Sequence, residues 1–263
     1  MFILYLTASF LVGGTWVALS TILAEKFGSK VGGIISGLPS TVVVAFFFIA
    51  WSQGTDAAFN VTTVFPLAFA INAFFLLGYS LLSKSNNNFG INLIGAILIW
   101  IFLQTTVVIS NISDFYLSLF IWFLIFAINY YIFAKLRTKS YTPKTKIKYG
   151  FSQIMLRAIL GGTIVLSAVL MTKIGGSIFG SVFASFPAVY LSTLIVINKS
   201  VGNQFSLSMT MPMMISGMFN VVMFSIIFRF LVLELNFIFS IAIAYFASII
   251  IAFLIYNYTQ LYR

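Results

Sequence analysis

Two clusters of small polar residues interrupt apolar stretches of the chain, and each contains a proline. A proline inside a helix has no backbone N–H and frees the carbonyl four residues earlier, here those of Ile35 and Phe183. Freed carbonyls and neighbouring hydroxyls can together bind a small polar solute or a sodium ion. The candidate binding residues are Ser36, Pro39, Ser40 and Thr41 in the first cluster and Ser185, Pro187 and Ser192 in the second.

Three further polar residues lie within apolar stretches. Asn72 and Asn220 carry amides that face either a neighbouring helix or a solute, since polar groups inside a membrane segment turn away from lipid. Arg157 either extends to the lipid headgroups, as long basic side chains do, or attracts an anionic solute entering from the cytoplasm. These three residues complete the set of candidate solute-binding residues.

The residue types that are missing exclude most chemistry. The chain has no cysteine and no histidine, which removes thiolate and imidazole metal sites and the common nucleophile–histidine pairs. Its four carboxylates, Glu25, Asp56, Asp114 and Glu234, all lie near the ends of predicted helices, so no midplane proton relay is expected. We therefore expect no enzyme activity, no cofactor and no dedicated metal centre, while sodium coupling stays open.

The elements that position these residues are predicted to be membrane-spanning helices. Hydrophobic residues make up 61% of the 263 residues and charged residues only 7%, far from the composition of a soluble domain. The apolar runs do not alternate as barrel strands would, and each is long enough to cross a bilayer. The sequence predicts an all-α integral membrane protein with nine spans: Phe2–Ala24, Val31–Trp51, Phe59–Leu82, Ile91–Ile109, Phe115–Leu136, Phe151–Met171, Ile178–Ile197, Leu207–Leu231 and Leu235–Tyr256.

The basic residues predict the orientation. With alternating spans, most lysines and arginines fall on one side, including the linker Lys135–Lys148. The positive-inside rule places that side in the cytoplasm. The expected location is the inner or plasma membrane, with the N-terminus outside and the C-terminus and linker cytoplasmic. The linker determines topology or binds anionic lipids; membrane lipids and a small solute are the expected partners, nucleic acid is not, and homo-oligomerisation stays open.

The chain also repeats itself at an offset of 148 residues. The repeat aligns Gly13 with Gly161, Pro39 with Pro187 and Asn72 with Asn220 without a gap. It divides the chain into a first four-helix repeat (1–110), a connecting helix and basic linker (111–150) and a second four-helix repeat (151–263). An unpaired fifth span would give the halves inverted topology, a recurring plan in secondary transporters.

The second copy, GGTIVLSAVLMTKIGGSIFGSVFASFPAVYLSTLIV, carries a glycine pair early in one span and a Phe-Pro centre in the next. In these features it resembles the small GlpM-like bacterial membrane proteins, each about as long as one half of this chain. The first copy departs by having Leu-Pro at Leu38–Pro39. The resemblance implies a multi-span inner-membrane protein and transfers no catalytic residue or substrate.

The sequence thus favours a nine-span, inverted-repeat transporter, carrier or facilitator, for a small solute. Its site would lie at the midplane between the second and seventh spans. A structural or accessory membrane subunit with a packed, dry centre is the first alternative, and a channel is the second. An intramembrane enzyme is the least favoured alternative.

Overall fold

A computed structural model describes residues 1–26, 38–136 and 150–261 of the chain. All regular secondary structure in these ranges is helical. The helices are α1 (Phe2–Lys26), α2 (Ser40–Gln53), α3 (Thr55–Ser85), α4 (Phe89–Ser110), α5 (Phe115–Leu136), α6 (Phe151–Ala184), α7 (Ala188–Ser200), α8 (Asn203–Leu231) and α9 (Phe237–Leu261).

Within the described ranges, seven helical stretches are long and apolar enough to cross a bilayer, and α2 is a shorter apolar helix. Large apolar side chains face outward on the peripheral helices; Phe102 of α4 and Phe246 of α9 are 69% and 65% exposed. Such surfaces suit lipid rather than water. The protein therefore has the architecture of a multi-pass helical membrane protein, as predicted.

Helix α3 lies at the centre of the bundle. It contacts α2, α4, α5, α6 and α8, and most of its apolar stretch is buried. An aromatic cluster joins it to its neighbours: the ring of Phe46 in α2 lies 5.1 Å from that of Phe65 in α3 and 5.4 Å from that of Phe228 in α8. The remaining helices pack around this core.

The helix boundaries differ from the predicted spans at two places. Instead of a turn before Ile178, α6 continues with a kink at Gly176, whose φ of 80° is readily available only to glycine. The chain then breaks at Ser185–Pro187, inside the predicted seventh span. Residues 31–37 of the predicted second span lie outside the described residues, and α2 begins at Ser40.

Residues 148 positions apart share unusual backbone conformations. Pro39 has φ −75° and ψ 55°, and Pro187 has φ −77° and ψ 41°, both close to an inverse γ-turn. Accordingly, the N–H following each proline donates to the carbonyl preceding it, over 2.8 Å in both copies. Gly54 and Gly202, which each precede a long helix, both have positive φ, at 95° and 105°. The predicted duplication thus extends to backbone geometry.

Helices α1 and α6, which correspond under the repeat, meet at their glycine pairs. A Cβ on Gly14 would lie 2.8 Å from the carbonyl oxygen of Ala158, and one on Gly162 would lie 2.5 Å from that of Phe10. These two contacts are equivalent, since Gly14 corresponds to Gly162 and Phe10 to Ala158. The two helices therefore pack about a local two-fold axis, with their backbones in close approach.

The same two helices run in opposite directions. The Nζ of Lys173 lies over the ring of Phe2, at the start of α1, and is 5.8 Å from the centroid of that ring. Lys173 comes near the end of the straight part of α6, just before the kink at Gly176. The start of α1 is therefore next to the far part of α6, and the glycine pairs mark the crossing between them.

Contacts between helix ends sort the charged residues into two groups. Arg229 of α8 stacks on the rings of Phe59 and Phe115, at the starts of α3 and α5. At the opposite end, the Nζ of Lys84 in α3 donates to the carbonyl of Leu136 in α5 over 2.8 Å. We call the first of these the acidic end; it carries Asp56, Asp114 and Glu234 together with Lys173 and Arg229. We call the second the basic end; it carries Lys84, Lys135 and Lys199.

The close approach of α1 and α6 predicts the effect of adding a methyl group. We expect Gly162→Ala to destabilise the protein by about 1–3 kcal/mol, the usual cost of overpacking, because its Cβ would press on a backbone oxygen that cannot rotate away. The thermal unfolding midpoint of the purified protein in detergent measures this. Gly150→Ala is the matched control, since nothing lies within 4 Å of its Cβ; equal midpoints for both variants would contradict the expected contact.

Candidate functional site

The break between α6 and α7 is partly closed by its own backbone. The N–H of Ser185 donates to the carbonyl of Ser181 over 3.0 Å, and the N–H of Phe186 donates to that of Phe183 over 3.2 Å. The sequence predicts that Pro187 leaves the Phe183 carbonyl in need of a partner, and the turn itself supplies one. The corresponding carbonyl of Ile35 lies outside the described residues.

The other polar groups of the break are bonded to the first half of the chain. Asn72, in the middle of α3, donates from Nδ2 to the carbonyl of Ser185 over 2.9 Å. Its Oδ1 accepts the indole N–H of Trp100 in α4 over 2.8 Å, and the Trp100 ring lies edge-on to Phe186 at 5.1 Å. Asn72 and Trp100 are both buried. An amide and an indole from one half thus hold the broken segment of the other.

Gln104 adds a second bridge one helical turn further along α4. Its Nε2 donates to the carbonyl of Ala68 over 2.8 Å and to the hydroxyl of Ser185 over 3.2 Å. Its Oε1 is buried and makes no hydrogen bond to the described residues. The repeat gives Gln104 no polar counterpart, since Ala252 stands at the equivalent position, and neither Gln104 nor Trp100 is among the residues predicted from the sequence. Their i, i+4 spacing on one face of α4 is the signal that could have found both.

The first proline cluster is buried but is not joined to these groups. Pro39, Ser40 and Thr41 form the start of α2 and are buried there, and Ser36 lies outside the described residues. In the second cluster, the Ser192 hydroxyl donates to the carbonyl of Val189 within its own helix over 3.2 Å. The structure therefore brings Asn72, Ser185 and Pro187 together but does not place Ser192 in the same hydrogen-bond network.

Asn220 occupies the position in α8 that corresponds to Asn72, and it is fully buried. Its backbone carbonyl accepts the hydroxyl of Ser248 in α9 over 3.4 Å. Ser248 corresponds under the repeat to Trp100. Each half therefore has a hydrogen bond between these two equivalent positions, to the side chain of Asn72 in the first half and to the backbone of Asn220 in the second. Gly37, the counterpart of Ser185, lies outside the described residues.

Arg157 faces the interior of the bundle. Its side chain is 6% exposed, and its Nη2 donates to the hydroxyl of Thr193 in α7 over 2.8 Å. A snorkelling arginine would keep its charged end in the headgroup region. The burial favours the alternative in which the guanidinium stays inside the protein, next to the helix that follows the break.

The chemistry available at the break is that of uncharged hydrogen bonds. Among residues 1–26, 38–136 and 150–261, the polar side chains that contact it carry amides, hydroxyls and an indole, and none of them is charged. Such a site can bind a polar solute only if the solute replaces a bond that the protein makes to itself. Two bonds at the break cross between the halves, from Asn72 to the Ser185 carbonyl and from Gln104 to the Ser185 hydroxyl.

A double-mutant cycle tests the network around Asn72. We expect Asn72→Leu to destabilise the protein by about 1–3 kcal/mol, because it leaves the Ser185 carbonyl and the Trp100 N–H buried without partners. Trp100→Phe should lower the free energy of unfolding by less in the Asn72→Leu background than in the wild type, which corresponds to a coupling energy of about 0.5–3 kcal/mol. Thermal unfolding of the four proteins in detergent measures it.

Asn129→Leu provides the matched control, since Asn129 is also buried but donates only to the carbonyl of Ile125 in its own helix. If its midpoint falls as far as that of Asn72→Leu, or if the cycle shows no coupling, the bond between the halves does not stabilise the protein.

Comparison with known proteins identifies a family and no closer relative. No curated protein matches the chain, and no solved structure matches it. The family model described as a protein of unknown function, DUF3147, matches twice, over residues 6–112 and 154–261. The two matches begin 148 residues apart, at the offset of the repeat, and together cover most of the chain. The chain therefore belongs to the DUF3147 family and consists of two copies of its characteristic region joined by α5.

Proposed function

We propose that the protein is a membrane transporter, a carrier or facilitator, for a small solute. The observation that carries this proposal is the pair of proline turns, at Pro39 and Pro187, in equivalent positions of the two halves. Helices broken at corresponding positions of two repeats form the binding sites of many secondary transporters. The solute-binding groups would come from the residues at these turns, with Asn72 and Asn220 beside them.

In this proposal the two halves have inverted topology. The support is the opposite direction of α1 and α6, since equivalent helices of parallel repeats would run the same way. Nine crossings then follow in chain order. The first is α1, the second ends with α2, and the third to fifth are α3, α4 and α5. The sixth is α6 as far as Gly176, the seventh runs from Gly176 to the end of α7, and the last two are α8 and α9. The short segments before and after Pro187 together make one crossing.

The charges support an orientation. The basic end would face the cytoplasm and the acidic end the outside, because basic residues near helix ends are retained on the cytoplasmic side. The N-terminus would then be outside, and the linker and C-terminus inside, in the inner or plasma membrane. The likeness to GlpM-like proteins stays a prediction beside the family match.

The uncharged surroundings of the Ser185–Pro187 break favour a neutral or anionic solute over a cation. Asn72, Trp100 and Gln104 offer hydrogen bonds without a negative charge. Arg157, turned inward between α6 and α7, would add a positive potential on the cytoplasmic side. We propose that the solute enters where the Asn72–Ser185 bond opens.

A structural or accessory membrane subunit is the second candidate. The observation that favours it is that the Ser185 and Phe183 carbonyls already have partners within the protein. A subunit that only packs against others needs such a closed centre permanently. A transporter needs it only in one of its states, so access of water to the break distinguishes the two.

Cysteine labelling tests the proposal, because the chain contains no cysteine of its own. Ser40→Cys and Ala188→Cys place one thiol directly after each proline, at sites that are buried. We expect a membrane-impermeant thiol reagent to label both, each from one side at a time, because alternating access would open the turns in turn. Mass spectrometry of protein in sealed vesicles of known orientation measures the labelled fraction.

Asp114→Cys and Asn87→Cys, at exposed positions of the acidic and basic ends, are the topology controls. They should label from opposite sides. If they do so while neither buried thiol labels from either side, the prolines only shape the packing, and the subunit becomes the better proposal.

A further inference from the structure

A groove runs along the outer surface of the bundle between α5 and α8. Aromatic and aliphatic side chains line it, including Tyr116, Phe120 and Trp122 of α5 and Met223 and Ile226 of α8, and its volume is about 430 Å³. The side chain of Phe120 is 58% exposed and that of Tyr116 69%. Because α5 has no counterpart in the repeat, this α5–α8 groove has no equivalent by symmetry.

Residues of α8 on both sides of Met223 and Ile226 make contacts beside the groove. Toward the middle of the bundle, Phe219 packs against Phe126, with ring centroids 4.9 Å apart. Toward the acidic end, Arg229 follows Ile226 by one helical turn. The distance from Phe219 to Arg229 along α8 is about 15 Å at 1.5 Å per residue. The guanidinium of Arg229 stacks on the ring of Phe115, which directly precedes Tyr116 of the groove, so a cation lies beside the groove toward the acidic end.

Arg229 is held in place but keeps donors for another partner. Its Nη1 donates to the carbonyl of Phe59 and to the hydroxyls of Thr62 and Thr63, over 3.1, 2.9 and 3.0 Å. Its Nε and Nη2 make no hydrogen bond to the described residues. Guanidinium nitrogens left in this way are suited to bind a phosphate with two parallel hydrogen bonds.

Two neighbours could compete with an anion for this charge. Asp114 and Tyr116 both lie within electrostatic range of the guanidinium. The Oδ1 of Asp114, however, accepts the backbone N–H of Leu117 over 2.6 Å, so this carboxylate caps the start of α5. Arg229 lies only two residues before the end of α8, at the level expected for lipid headgroups.

Trp122 forms part of the inner wall of the groove. It lines the groove, is 7% exposed, and its indole N–H makes no hydrogen bond to the described residues. Buried donors without an acceptor are rare in folded proteins. Because the indole nitrogen is itself inaccessible from the groove, Trp122 serves as a fluorescent reporter of what lies in the groove and not as a donor to it.

We propose that the α5–α8 groove binds an anionic phospholipid, with an acyl chain along the groove and the phosphate against Arg229. The charge decides between occupants: an apolar helix from a second copy would fill the groove but leave the free donors of Arg229 unused. This site lies on the outside of the bundle and does not depend on the proposed transport function.

Quenching of tryptophan fluorescence by brominated acyl chains tests the site in nanodiscs. The protein is placed in phosphatidylcholine containing a minority of brominated lipid, either phosphatidylglycerol or phosphatidylcholine. The contribution of Trp122 is the difference between the wild type and Trp122→Phe. Trp16→Phe gives the matched difference for Trp16, which is partly exposed on α1, away from the groove.

We expect the brominated phosphatidylglycerol to be enriched about fivefold over phosphatidylcholine near Trp122, the preference that one basic residue gives an anionic lipid. Trp16 should show no preference. Arg229→Gln should abolish the preference, and Arg229→Lys, which keeps the charge, should retain part of it. Both variants are first checked for a single symmetric peak in gel filtration.

Two results would overturn the proposal. Equal quenching of Trp122 by both brominated lipids means that the groove does not select an anionic headgroup. Weak quenching by both, together with a dimer in the nanodisc, means that a second copy covers the groove.

Discussion

The absence of water inside a bilayer is the constraint on which this structure depends, because every backbone group that a proline frees must find a partner in the protein. The break at Pro187 is stabilised by Asn72, which donates to the Ser185 carbonyl. The same solution occurs inside α3, where the N–H of Leu67, directly after Pro66, donates to the hydroxyl of Ser118 in α5. Both partners come from other helices, so the interrupted helices hold the bundle together.

Helix α3 has a central place for this reason. It supplies the amide that supports the broken helix of the second half. Its own Leu67 N–H donates to the Ser118 hydroxyl of α5, the helix that joins the halves. A helix with these roles needs neighbours on all sides, which agrees with its burial. The glycine pairs of α1 and α6 make the second junction, where two backbones touch about a local two-fold axis. The two halves are thus joined by polar bonds at the Pro187 break and by close packing at the glycine pairs.

The halves share a backbone plan but differ in the side chains that surround their turns. Trp100 in the first half corresponds to Ser248 in the second, and Gln104 corresponds to Ala252. In the first half, Gln104 donates directly to the Pro187 break and Trp100 donates to Asn72 beside it, while the equivalent positions of the second half carry short side chains.

The sequence by itself determined the membrane class, the helical elements, the repeat and the two prolines, because composition, run length and a fixed offset are local properties of a chain. It also placed Asn72 and Ser185 among the candidate residues. Only the tertiary structure decided that these two are bonded, that Trp100 and Gln104 join them, and that Gly176 replaces a predicted turn with a kink. Asn72 and Ser185 lie 113 positions apart, and which faces of two such helices meet depends on the packing of the whole bundle. The direction of Arg157, inward rather than toward the headgroups, was decided in the same way, by the position of Thr193 on a neighbouring helix.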